Sequence, residues 1–182
     1  MKKIVLVVML LAVPVLTFGQ NIFDKYADSD DVTYVSIKPK MFKMLATMGV
    51  DSNDPDAQDF LKMVNSMKSL KTLATDNANI SAELQRWVNG RASELEELME
   101  VRDGDTRMKF YVKEGKDETH VKELLMYITG IEDKVKMKER NINTVVVSLT
   151  GDIDLTQISK LTSKMDIPGG EHLKDVEKKK KN

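Results

Sequence analysis

Three consecutive valines, Val145-Val146-Val147, sit inside the run from Thr144 to Leu149 and narrow the fold more than any other stretch. Valine is stiff about its first side-chain torsion and suits a pleated surface. A strand with one wet face alternates apolar and polar residues, whereas an unbroken apolar run fits a strand buried on both faces. The chain therefore has to build a sheet with this segment in its interior. Gly151 is the expected end of the strand.

Other segments supply the rest of the sheet. Val32 to Ile37 is β-branched and aromatic, and Ser69 to Thr75 can form a short strand. Leu98 to Arg102 and Arg107 to Val112 flank Asp103-Gly104, a two-residue hairpin signal. Met108, Phe110 and Val112 alternate there with Arg107, Lys109 and Tyr111, so one buried face and one wet face are expected. Glu114 to Asp117 reads as a turn. Val121 to Ile128 reads as a further strand, although Leu124-Leu125-Met126 suits a helix as well. Ile131 to Arg140 is highly charged and fits neither period.

Helical spacing appears elsewhere. Ile22, Phe23 and Tyr26 fit one turn. Pro39 opens a helix carrying Met41, Met44, Leu45 and Met48, with Gly49 as its stop. Asp54-Pro55 starts another, with Phe60, Leu61, Val64 and Met67 on its apolar face. Ile80, Leu84, Trp87, Val88, Leu95 and Leu98 mark a longer helix that Asn89-Gly90 would kink or split. Asp154 and Gln157 form a cap-like pair for a last helix with Leu155, Ile158, Leu161 and Met165, closed by Pro168-Gly169-Gly170. The expected class is α+β: one mixed, mostly antiparallel sheet with helices packed on one face.

The first residues read as an export signal. Lys2 and Lys3 precede an apolar run from Ile4 to Leu16, and Thr17 and Gly19 place small residues before a cut ahead of Gln20. The run falls short of the roughly 20 apolar residues a membrane span needs. The expected organisation is a signal peptide at 1–19, a single domain at 20–170 and a charged tail at 171–182 ending in Lys178 to Lys181. Removing Lys2 and Lys3 leaves 26 of the 28 basic residues against 29 acidic ones, a net charge of −3. Such a balance argues against a general nucleic-acid binder. There is no cysteine, which excludes disulfides, thiolate metal sites, cysteine nucleophiles and a lipid-bearing N-terminal cysteine. Of twelve methionines, ten lie beyond the signal; they read first as core filling and second as an adaptable binding surface.

No residue set calls for a reaction. A paired-histidine metal site would have to unite His120 and His172, and two solvated histidines explain them better. No G-x-S-x-G element supports a serine triad. Asp51 to Asp56 superficially resembles a calcium loop, but Pro55 stands at the fifth position and no glycine at the sixth, so helix capping explains it better. Asp28, Asp30 and Asp31 read as a solvated acidic loop. Glu94, Glu96, Glu97 and Glu100 read as a charged helix end, and Trp87 as a core residue. Asn89-Gly90-Arg91 is no phosphate loop. No catalytic, cofactor-binding or metal residue is assigned.

Several stretches are familiar together. Phe23-Asp24-Lys25-Tyr26, Asp30-Asp31-Val32-Thr33, Met41-Phe42-Lys43-Met44-Leu45, Tyr111-Val112-Lys113-Glu114-Gly115, Glu123-Leu124-Leu125-Met126, Ser148 to Asp154 and Pro168-Gly169-Gly170-Glu171 resemble the family catalogued as domain of unknown function 4252. The resemblance spans nearly all of the chain after the signal. It implies an exported envelope protein of Bacteroidota-type bacteria, without an established activity and with no functional residues to carry over. Some similar proteins bear a lipobox cysteine, and this chain departs from them there. The expected function is a non-enzymatic binding or interaction module in the periplasm or cell envelope, not lipid-anchored, with another envelope protein as partner. The alternative is a small envelope hydrolase.

Overall fold

The computed structural model describes residues 21–47, 55–131, 136–137 and 140–158. In chain order they form α1 (Ile22–Lys25), β1 (Thr33–Ile37), α2 (Pro39–Thr47), α3 (Pro55–Ser66), β2 (Met67–Thr75), α4 (Ala78–Ala92), β3 (Glu96–Asp103), β4 (Thr106–Glu114), β5 (His120–Thr129), β6 (Lys136–Met137), β7 (Arg140–Asn141) and β8 (Thr144–Asp154). Residues 155–158 begin a further helix. The expected signal peptide, Met48, Gly49, the Asp51 to Asp54 part of the segment that resembles a calcium loop, Leu161, Met165, Pro168 to Gly170, His172 and the lysine tail lie outside the described residues.

Six strands form one sheet in the order β1-β2-β8-β5-β4-β3, and β6 and β7 pair separately. Every pairing is antiparallel. The α+β expectation holds. β8 carries the triple valine between β2 and β5, the interior position its composition requires.

Adjacent strand residues point to opposite faces, and the core clusters divide accordingly. On one face, Tyr111, Leu125, Tyr127, Val146 and Leu73 pack with Ile22 and Phe23 of α1 and with Ile80, Leu84 and Val88 of α4. On the other, Val112, Val121, Leu149 and Ile153 cluster with Leu155 and Ile158. Phe42 of α2 and Met63 and Val64 of α3 join that side through Leu70 and Ile37. Helices thus lie on both faces, where a single covered face was expected. Tyr111, expected on a wet face, is buried under α4. Leu73, Leu84 and Leu125 are fully buried, each contributing about 1.5–3 kcal/mol relative to exposure.

Local chemistry sets the element ends. The Asn77 side chain caps α4, its Oδ1 accepting from the amides of Asn79 at 2.9 Å and Ile80 at 3.3 Å. The helix runs unbroken through Asn89-Gly90 and stops at Ala92, where the Ser93 hydroxyl donates to the Gly90 carbonyl at 2.8 Å. Leu98 belongs to β3 instead, because its side chain is needed beside Val112. The β3–β4 loop is Gly104-Asp105, one residue later than expected: Asp103 pairs with Thr106, and Gly104 takes the first central position with φ 59°.

Gly151 does not end β8, which continues to Asp154. Gly151 has φ 154°, and a Cβ there would lie 2.5 Å from the Ser66 carbonyl oxygen. It is the glycine that lets β8 pass under the junction of α3 and β2. At the strand's end the Asp154 carboxylate accepts from the Thr156 amide at 2.9 Å and its hydroxyl at 2.7 Å, opening the last helix.

Candidate binding face

The strand registers place apolar side chains in rows that cross the sheet, since directly opposed residues share a face. One row runs Val112, Leu124, Leu149, Leu70, Ile37. It lies under α2, α3 and the start of the last helix. Next to it, two residues along each strand, runs Met99, Phe110, Met126, Val147, Thr72, Val35. Beyond that runs Val101, Met108, Ile128, Val145, Ala74, Thr33.

These two outer rows are the unusual feature of the molecule. Apart from buried Ala74 and exposed Val35, their members are half-buried. None of their residues from β3, β4, β5 or β8 joins a buried cluster among the described residues. The band spans six strands, about 24 Å at ~4.8 Å per strand. Three of its members are methionines, whose unbranched thioethers adapt to irregular partners. The opposite side of the same hairpin is charged: Glu97, Glu100, Arg102, Arg107 and Lys109 occupy the alternate positions of β3 and β4. Among the described residues this sheet corner therefore carries charges on one side and half-buried apolar side chains on the other. The alternation of Met108, Phe110 and Val112 marks this face in the sequence, but periodicity alone does not distinguish it from core.

A second feature is a cleft of about 310 Å³ where β4 turns into β5. Leu98, Val112, Val121 and Leu155 supply apolar walls, and Glu96, Glu114, Lys116, Asp117, Glu118 and His120 polar ones. The turn is tight: a Cβ on Gly115 would lie 2.2 Å from the His120 carbonyl oxygen. Within it, one Asp117 oxygen accepts from the amides of Thr119 and His120, from the Thr119 hydroxyl, and pairs with His120 Nδ1 at 2.7 Å. The His120 contact leads the interactions that hold the Asp117 carboxyl down at about 2.

This cluster does not form a nucleophile relay. A hydroxyl, an imidazole and a carboxylate act in series only when hydroxyl and carboxylate use opposite ring nitrogens. Here the Thr119 hydroxyl, 3.1 Å away, approaches the same Nδ1 as Asp117. The geometry is that of a turn cap.

Several other sequence candidates have structural partners. Asp31 accepts from Thr75 through its carbonyl at 2.8 Å and faces the Asn77 side chain at 3.4 Å. Glu94 pairs with Arg91, Glu97 with Lys109 and Glu100 with Arg102. Arg91 also reaches Glu123 at 2.7 Å, tying α4 to β5. Trp87 meets Phe23 edge-on at 5.6 Å, a core contact. Among the described residues no cluster of His, Asp or Glu has metal-ligand geometry. No described helix is long and apolar enough to cross a membrane.

A family model described as Domain of unknown function (DUF4252) matches residues 26–161, which takes in all six strands of the main sheet. No curated protein and no solved structure matches the chain.

Proposed function

We propose that this chain, which belongs to the DUF4252 family, is an exported module that binds another protein of the cell envelope through the open apolar band of its sheet. The band carries the reading. Contiguous apolar surface not spent on a protein's own core marks interaction sites, and the charged reverse side of β3 and β4 argues that the apolar side is specific to this face. Export is supported by the basic, apolar and small-residue layout of residues 1–19.

Affinity capture from the host envelope tests the reading. Tagged wild type is compared with Met126→Lys, which places a charge in the middle of the band. A stoichiometric protein retained by wild type and lost by the variant is the expected result. Capture of nothing, or equal capture by both, would overturn it. Intact mass of the same preparation checks export: the chain should begin at Gln20.

A further inference from the structure

The two edges of the sheet differ in how they are protected. An edge strand offers unpaired amides and carbonyls to any passing strand, and proteins guard against this with charges, prolines or bulges. The β3 edge is guarded. It carries Glu96, Glu97, Glu100, Arg102 and Asp103, with a register shift between Glu97 and Met99. The β1 edge, Thr-Tyr-Val-Ser-Ile, holds no charge, no proline and no bulge. Val35 in its centre is 43% exposed, and Ser36 beside it is exposed as well.

The flanks of β1 are charged in opposite senses. Asp30 and Asp31 precede it, and Lys38 and Lys40 follow it. A strand with an acidic start and a basic end is complementary to itself when reversed. A two-fold axis perpendicular to the sheet keeps each face on its own side, so residues of like face must oppose each other. Setting Val35 against Val35 satisfies this. Tyr34 then opposes Ser36 and Thr33 opposes Ile37, and the acidic residues ahead of one β1 come to the same side as the lysines that follow the other. The apolar row that ends at Val35 in one copy then continues into the same row of the other.

We propose that β1 is the seam of a homodimer, in which two copies pair antiparallel about Val35 and join their six-stranded sheets into one. The proposal goes beyond partner binding: it fixes a self-assembly edge, and it doubles the length of the apolar band that a partner would meet. Its readout is independent of partner capture, so either reading can fail alone.

The test is sedimentation velocity on the purified chain without its first 19 residues, over a range of concentrations. A mass of two copies is expected. Val35→Lys puts like charges face to face at the axis and should weaken the dimer at least about tenfold, with the thermal midpoint of the monomer as a check on folding. The chain contains no cysteine, so Val35→Cys gives a clean second measurement. Mild oxidation should link two copies through position 35, whereas Arg102→Cys on the guarded edge should not link. A single-copy mass at every concentration, a dimer indifferent to Val35→Lys, or no cross-link through position 35 would each overturn the proposal.

Discussion

Gly151 and Met67 face each other across β8 and β2 so closely that a Cβ on Gly151 would lie 2.9 Å from the Met67 Cα. The same atom would come within 2.5 Å of the Ser66 carbonyl oxygen. Neither contact is with a side chain that could swing aside. Gly151→Ala should therefore force the α3–β2 junction away from β8, and the positive φ adds backbone strain. A loss of about 2–4 kcal/mol is expected in denaturant unfolding, with the slope of the transition unchanged. Gly90→Ala, where a Cβ meets nothing within 4 Å inside α4, should be neutral or stabilising.

Two neighbours on β5 test the division of the faces. Leu125 is fully buried beneath α4, and Met126 lies half-buried in the open band. Leu125→Ala should cost about 2–5 kcal/mol, as large-to-small changes in a packed core do. Met126→Ala should cost about 1 kcal/mol or less, because it leaves no closed cavity. Comparable losses at both positions in thermal or chemical unfolding would show the band to be as tightly packed as the core.

Much of this architecture could be read from periodicity. The strand at Thr144, the hairpin after Leu98, the helix opened by Pro55 and the helix through Leu84 are set by local patterns that tertiary contacts reinforce. What could not be read was the side on which each pattern is covered. The triple valine demands burial on both faces of β8, but helical spacing does not show which face each helix covers: α1 and α4 lie over Val146, whereas α2 and α3 lie over the row of Leu149 and Leu70. The long-helix reading through Leu98 failed for a related reason: a leucine at helical spacing is equally a leucine at strand spacing when β3 follows within a few residues. The open band needs the cross-strand register, since Met99, Phe110, Met126 and Val147 are remote in sequence and become one row only through pairing.

Arg91 and Glu123 offer a measure of how α4 is held. Their 2.7 Å contact joins the last turn of the helix to β5, with side chains 26% and 14% exposed. A double-mutant cycle with Arg91→Met and Glu123→Gln should return a coupling of about 0.5–2 kcal/mol, between the values for exposed and for buried pairs. Raising the salt concentration should weaken it only slightly. The Lys109–Glu97 pair, on the charged side of the β3–β4 hairpin, should couple by no more than about 1 kcal/mol and lose most of that in salt.

The turn that closes the cleft should respond to acid in a specific window. Asp117 is held down from 3.8 to about 2, first by the His120 side chain and then by the Thr119 hydroxyl and amide. A carboxyl whose folded pKa lies below its unfolded one stabilises the fold fully above the unfolded value. Its contribution is then lost as the pH falls through the folded value. For Asp117 the loss belongs between about pH 4 and pH 2. Carbon-detected NMR should show its carboxyl titrating near 2. His120→Ala, which removes the leading interaction and leaves the Thr119 contacts in place, should raise that midpoint part of the way to 3.8. Adding Thr119→Gly should complete most of the rise, since only backbone donors then remain. A midpoint near 3.8 in the wild type would show that the His120–Asp117 contact does not persist in solution.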